Sequence, residues 1–180
     1  INDEAPGLNR DANDSLNGEK ASIGILRGFR DISEQSRVGF FLSDREFGDG
    51  YNRVASVDAR IKLNDNWITN IQLVGSDSEP ALGGDATTGY QRNIQINHTG
   101  RTVSSHTHFV ETTDNFRTDL GFQNRFFKPD TSGIHNSLNL NFYPDGSNLN
   151  SWTTGLSDVY LNDTDGTRIY HQLGPNLNFN

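Results

Sequence analysis

Cysteine is absent from this chain of 180 residues, so no disulfide framework, thiolate zinc site or cysteine nucleophile is available to it. Methionine is absent as well, and the chain starts at Ile1 with neither an initiator residue nor the charged-then-apolar stretch of a signal peptide. It is therefore read as a processed protein or a piece of a longer one. No apolar run approaches the roughly 20 residues of a membrane helix, so entry into a bilayer would require a closed barrel of strands. Apolar residues are scarce: 32% of the chain is hydrophobic and the mean hydropathy is -0.68, low for a globular core of this length. Positive charge is scarce too. The formal net charge is -8, and lysine and arginine form no run that would hold phosphate, which excludes a nucleic-acid partner on charge grounds.

What the chain has instead is alternation. From Tyr51 to Leu63, Ala55, Val57, Ala59, Ile61 and Leu63 fall on one side, and Ser56, Asp58, Arg60 and Lys62 on the other. Successive side chains of a strand point to opposite faces, so this spacing sorts apolar from charged residues. From Ile134 to Tyr143, Ile134, Leu138, Leu140 and Phe142 share a face with Asn136, while His135, Ser137, Asn139 and Asn141 take the other. Trp67, Thr69, Ile71 and Leu73 form a third set, blurred by Ile68 and Val74. Further strands are expected near Ala21–Phe29, Arg37–Ser43, Tyr90–His98, Thr102–Thr112, Ser151–Leu161 and Arg168–Asn180, nine or ten in all. Phe116–Phe127 reads equally as a strand or an ordered loop. Residues 1–20, rich in Asn, Asp, Gly and Pro, read as a loop or tether ahead of a barrel domain over 21–180.

The connections carry the next inference. Asn64-Asp65-Asn66, Thr99-Gly100 and Asn162–Gly166 read as turns. Asp44–Gly50, Asp77–Thr88 and the stretch around Thr113–Phe116 read as longer links, so short and long connections alternate. Several strands approach the roughly 9–11 residues that cross a bilayer at a tilt. Tyr51, Trp67, Tyr90, Tyr143, Trp152 and Tyr170 lie near strand ends, where membrane barrels carry aromatic girdles. The expected fold is all-β: an antiparallel up-and-down β-barrel of outer-membrane type, or a large segment of one. A soluble β-sandwich also alternates and stays open as an alternative.

A resemblance points the same way. Phe47-Gly48-Asp49-Gly50-Tyr51-Asn52-Arg53-Val54 with Val57-Asp58-Ala59-Arg60, Asp114-Asn115-Phe116-Arg117 with Asp119-Leu120-Gly121-Phe122, and Tyr143-Pro144-Asp145 together resemble an uncharacterised family of bacterial C-terminal barrel domains. In that family the barrel lies downstream of a module similar to family-9 carbohydrate-binding modules. The resemblance implies an outer-membrane barrel of a Gram-negative envelope with a sugar-binding-like module attached, and it implies no catalytic residue. Its expected partners are the lipid bilayer, with glycans or other envelope proteins beside it.

Chemistry of other kinds finds little footing. His106 and His108 share a strand face at a spacing that can chelate a transition metal. His98 is the nearest third imidazole, but a hairpin at Thr99-Gly100 would set it opposite Arg101. The plainer reading is two polar side chains facing water. Asp163-Thr164-Asp165-Gly166 resembles the start of a calcium loop without its closing carboxylate, and Asp and Gly are also what an ordinary turn requires. Gly83-Gly84-Asp85 lacks the lysine and helix of a phosphate loop, and no G-x-S-x-G elbow exists. The expectation is a non-catalytic protein without cofactor or metal. Its function is read as transport or anchoring linked to glycan or nutrient handling. The alternatives are a secreted carbohydrate-binding sandwich and a structural subunit of an envelope assembly that docks through strand edges.

Overall fold

A computed structural model describes residues 1–8, 10–121, 129–146 and 148–180. Ten strands follow one another: β1 (Asn2–Asp3), β2 (Ala21–Ser33), β3 (Ser36–Phe47), β4 (Gly50–Lys62), β5 (Trp67–Glu79), β6 (Thr87–Thr99), β7 (Val103–Thr112), β8 (Thr131–Phe142), β9 (Trp152–Asn162) and β10 (Arg168–Phe179). One four-residue helix, α1 (Ala5–Leu8), interrupts the run. Each strand pairs antiparallel with its chain neighbours, so the spatial order in the single sheet is the chain order. The long strands hold between 10 residues, in β7, and 13, in β2, β4, β5 and β6.

The sheet is not closed into a barrel. Among the described residues, β10 pairs with β9 alone, and β2 beyond its short ladder with β1 has one neighbour, β3. Of the expected up-and-down barrel or large segment of one, the all-β antiparallel up-and-down order is what the structure has, in an open sheet. No second sheet packs on it among the described residues, so the two-layer sandwich is not this fold. Side-chain alternation is a property of each strand and is legible in sequence, whereas closure depends on which edges meet.

Local chemistry sets the turns. The Asn64 side-chain oxygen accepts from the amides of Asn66 and Trp67, both at 3.0 Å, and closes the β4–β5 turn. The β3–β4 connection is shorter than the Asp44–Gly50 link expected. Only Gly48 and Asp49 lie between the strands, because Gly48 adopts φ 58°, open to glycine and costly for other residues. The β6–β7 register places His98 opposite Ser105 rather than Arg101. Residues 116–121 form no strand, and the rest of the ambiguous segment, 122–127, lies outside the described residues.

Residues 1–20 do not hang free. Ile1 and Ile23 exchange backbone hydrogen bonds, and Leu16, Ala21 and Phe47 form a small buried apolar cluster with Ala81 against it. The Arg10 guanidinium sits 5.0 Å from the centre of the Phe47 ring. It also bonds Asp14 at 2.7 Å, while the Asp14 carboxylate accepts from the Leu16 amide at 2.9 Å. The amide bond and then the arginine hold the Asp14 carboxyl below its ordinary pKa.

From β3 onward the register assigns each long strand two unlike faces. Leu26, Leu42, Val57, Leu73, Leu138, Leu156 and Leu173 lie on one face, all exposed. Leu26 and Val57 are each 56% exposed, whereas Asn52, Thr112 and Ser78 on the opposite face are 1%, 1% and 2% exposed. This inverts the arrangement of a water-soluble protein, whose apolar face is covered.

Candidate functional site

The covered face is polar, and the sheet curls around it. Arg27 of β2 and His108 of β7, five strands apart, line the same cavity of about 920 Å³. Arg37, Asp58, Arg60, Asn70, Gln72 and Asn93 line it too. These residues share a side because each is a register partner of the next or sits two positions from one. Arg27 forms a fork-like pair with Asp58, with Nη2 to Oδ2 at 2.9 Å.

One end of this cavity is partly filled by the chain itself. After β7, residues 113–121 turn inward across β4, β5 and β6. Asn52 on β4 clasps them: its amide donates to Ser78 Oγ at 2.6 Å and to the Arg117 carbonyl at 3.0 Å, and its oxygen accepts from the Asp119 amide at 2.9 Å. Ser76 Oγ accepts from the Arg117 amide at 3.1 Å. Arg45 reaches Asp119 at 3.0 Å. Gly89 is required where this segment crosses β6, since a Cβ there would lie 2.3 Å from the Phe116 nitrogen. Phe116 is 4% exposed and shares the cavity wall with Phe41, Val54, Val74 and Val110. Those four are apolar members of this face, and the inward-turned phenylalanine packs at the same cavity wall.

The histidines are brought together more closely than spacing alone suggests. His108 and His135 are register partners on β7 and β8. The His106 ring lies 5.3 Å from that of His135 and 5.9 Å from that of His108. His98 is elsewhere, stacked at 4.6 Å against Trp67 on the apolar face. His106 Nδ1 lies 2.6 Å from Asn97 Oδ1, and His108 Nε2 lies 3.0 Å from Asn93 Oδ1. Among the described residues no group of three His, Asp or Glu is arranged to hold a metal ion. His135 was assigned to this face by alternation, but its cross-strand position beside His106 depends on register, which the sequence does not display.

Asp163 and Asp165 belong to the β9–β10 turn. The Asp163 amide donates to the Thr167 carbonyl at 2.9 Å, and its carboxylate accepts from the Thr167 amide at 2.7 Å. Gly166 takes φ 88° in this turn. Thr164 donates to Asp130, which joins this turn to the start of β8.

The apolar face carries aromatic residues at both ends. Tyr51 and Tyr90 stand at one end, each under an arginine: Arg53 at 4.4 Å and Arg92 at 4.7 Å. Trp67 and the stacked pair Phe142–Trp152, 4.0 Å apart, stand at the other. Tyr143 lies just past β8, with Arg101 over its ring and its hydroxyl on the Arg101 carbonyl. Tyr170, in hydrogen-bond contact with Gln172 on β10, is on the other face, opposite Leu161. Between its ends the apolar face has a polar cluster: Asp158 on β9 meets His171 on β10 at 2.9 Å, beside Asn136 on β8. Comparison of the chain with family models, with curated proteins and with solved structures finds no match to any of the three.

Proposed function

We propose that this chain forms wall of an outer-membrane β-barrel in a bacterial envelope, a non-catalytic element that passes or anchors a glycan or other nutrient. One observation carries the reading: the exposed face is apolar and the covered face is polar. In hydrocarbon that inversion is favourable, because apolar side chains meet lipid and the polar ones meet water or each other. The aromatic residues at both ends of the apolar face support it, as does strand length, since 10 to 13 residues suffice to cross a bilayer at a tilt. The resemblance to bacterial C-terminal barrel domains beside sugar-binding-like modules supplies the glycan side of the proposal. A bilayer tolerates no open sheet edge, so the edges of β2 and β10 must pair with further strands when the wall is in place.

The test uses fluorophores attached through Leu138→Cys and Asn139→Cys, clean because the chain has no cysteine of its own. In lipid vesicles, a quencher dissolved in the lipid tails should reach the label at 138 and a water-soluble quencher should reach that at 139. Folded protein whose label at 138 is untouched by the lipid-borne quencher would sink the membrane reading. A second reading, a structural subunit docking through its edges, is favoured by the outer edges of β10 and of β2 beyond β1, which have no strand partner among the described residues. It requires that these edges pair with a different protein.

A further inference from the structure

On the polar face, one row of register partners runs across the sheet without an apolar member from β3 to β8. Arg37 pairs with Arg60, Arg60 with Asn70, Asn70 with Gln95, Gln95 with His108, and His108 with His135. Adjacent partners in such a row stand about 5 Å apart, so the six side chains form a continuous band of hydrogen-bonding groups. Its two ends differ. One is a pair of guanidiniums side by side, the other a pair of imidazoles, and neutral amides lie between.

The arginine end has no ion-pair partner of its own, although the Asp58 carboxylate feels the Arg37 charge. The cavity these residues line has one carboxylate, Asp58, and that carboxylate is already bonded to Arg27. Asp31 is opposite Arg37 in register, yet the two form no ion pair. Neither Arg37 nor Arg60 has a hydrogen bond or ion pair among the described residues. Two like charges held as direct cross-strand neighbours oppose folding. In a chain of net charge -8 they are also out of keeping with the rest of the composition. An oxyanion between them would relieve the repulsion, because each guanidinium presents a fork of donors that can take two oxygens of a carboxylate or sulfate group. The amides and imidazoles next along the row donate and accept at once, which suits hydroxyl groups.

We propose that this row is a binding band for a polyhydroxylated oxyanion, an acidic sugar of the uronate or sulfated class. Its anionic group sits on Arg37 and Arg60, and its hydroxyls lie along Asn70, Gln95 and His108. The inference rests on the reading of the polar face as a water-filled lining, and it names the solute class for that lining.

The experiment is titration calorimetry on the full chain folded in detergent micelles, which needs no oriented bilayer. Glucuronate, a sulfated glucose, neutral glucose and inorganic sulfate are the probes. The two acidic sugars should bind, neutral glucose should not, and inorganic sulfate should bind more weakly than either. The double variant Arg37→Gln/Arg60→Gln should weaken acidic-sugar binding by at least about tenfold. Arg53→Gln, on the apolar face, should leave it unchanged. Sulfate binding as tightly as the acidic sugars would reduce the band to a simple anion site and overturn the sugar assignment. Binding unaffected by the double variant, in protein whose near-ultraviolet circular dichroism shows it folded, would overturn the site altogether. The quenching test above is independent of both outcomes, so a failed lipid contact and a failed band are told apart.

Discussion

Gln72 and Leu73 are adjacent in β5 and face opposite environments. Gln72 lines the polar cavity, and Leu73 stands on the exposed apolar face. An arginine on the lipid side of a barrel near its midplane costs about 2–4 kcal/mol, while the water-facing side accepts charge. Leu73→Arg should therefore lower the yield of protein that folds into vesicles, and Gln72→Arg should not, as read by the mobility shift of folded protein on unheated gels. Asn52 gives a contrasting case, since its side chain is buried and satisfied three times over. Asn52→Ala strands the amide of Asp119 and the hydroxyl of Ser78, a loss of about 1–3 kcal/mol. The measurement is hydrogen exchange at Arg117 and Asp119, which should quicken while the strand amides of β8 and β9 stay protected. The sidedness of Ala55 to Leu63 was legible in sequence because alternation is a local property. Val74 blurred the β5 pattern for a non-local reason: it lines the cavity with Phe116, more than forty positions along the chain.

At the scale of elements, the hairpins whose turn chemistry is written in adjacent residues were legible. Asn64–Asn66 and Asp163–Gly166 are examples, since each turn is closed by its own side chain. The β3–β4 turn was read too long because the polar run Ser43–Glu46 continues the strand, with Ser43 covered and Asp44 exposed by the same alternation. The segment after β7 could not be read as an inward fold, since Asn52, Ser76 and Arg45 hold it from strands far away in the chain. The N-terminal segment offers a pH test. Its Asp14 carboxyl titrates below the ordinary value, so the stabilisation it adds is complete above about pH 4 and fades as acid carries the solution through the lower, folded value. Residues 10–18 should become sensitive to an acid-active protease below that pH while the sheet remains resistant. Asp14→Asn should show the same sensitivity at neutral pH. Protection of the segment in that variant would mean that Leu16 and Phe47 hold it without the carboxylate.

The molecule as a whole is a single curled layer whose apolar side is bare. Such a surface in water, together with unpaired edges on β2 and β10, favours association over a monomeric folded state. The chain should need detergent or lipid to remain monodisperse. A cooperatively folding monomer in plain buffer, seen by sedimentation and thermal melting, would contradict that expectation. The apolar sidedness that makes this so could be read from spacing, but the open edges could not, because no single strand records whether its outer neighbour exists.

Strict neighbour-to-neighbour pairing has a further consequence for how such a wall can grow. Every ladder joins elements adjacent in the chain, so each hairpin brings its own register, and the inward segment and the N-terminal cluster add contacts from distant sequence. Short loop closures of this kind cost little and form early. A hairpin inserted after β8 or β9 would widen the curl while leaving the ladders from β2 to β7 as they are. Circumference is then a variable that gene duplication can change in units of two strands, while the clasp at Asn52 and the arginine pair on β3 and β4 stay as they are.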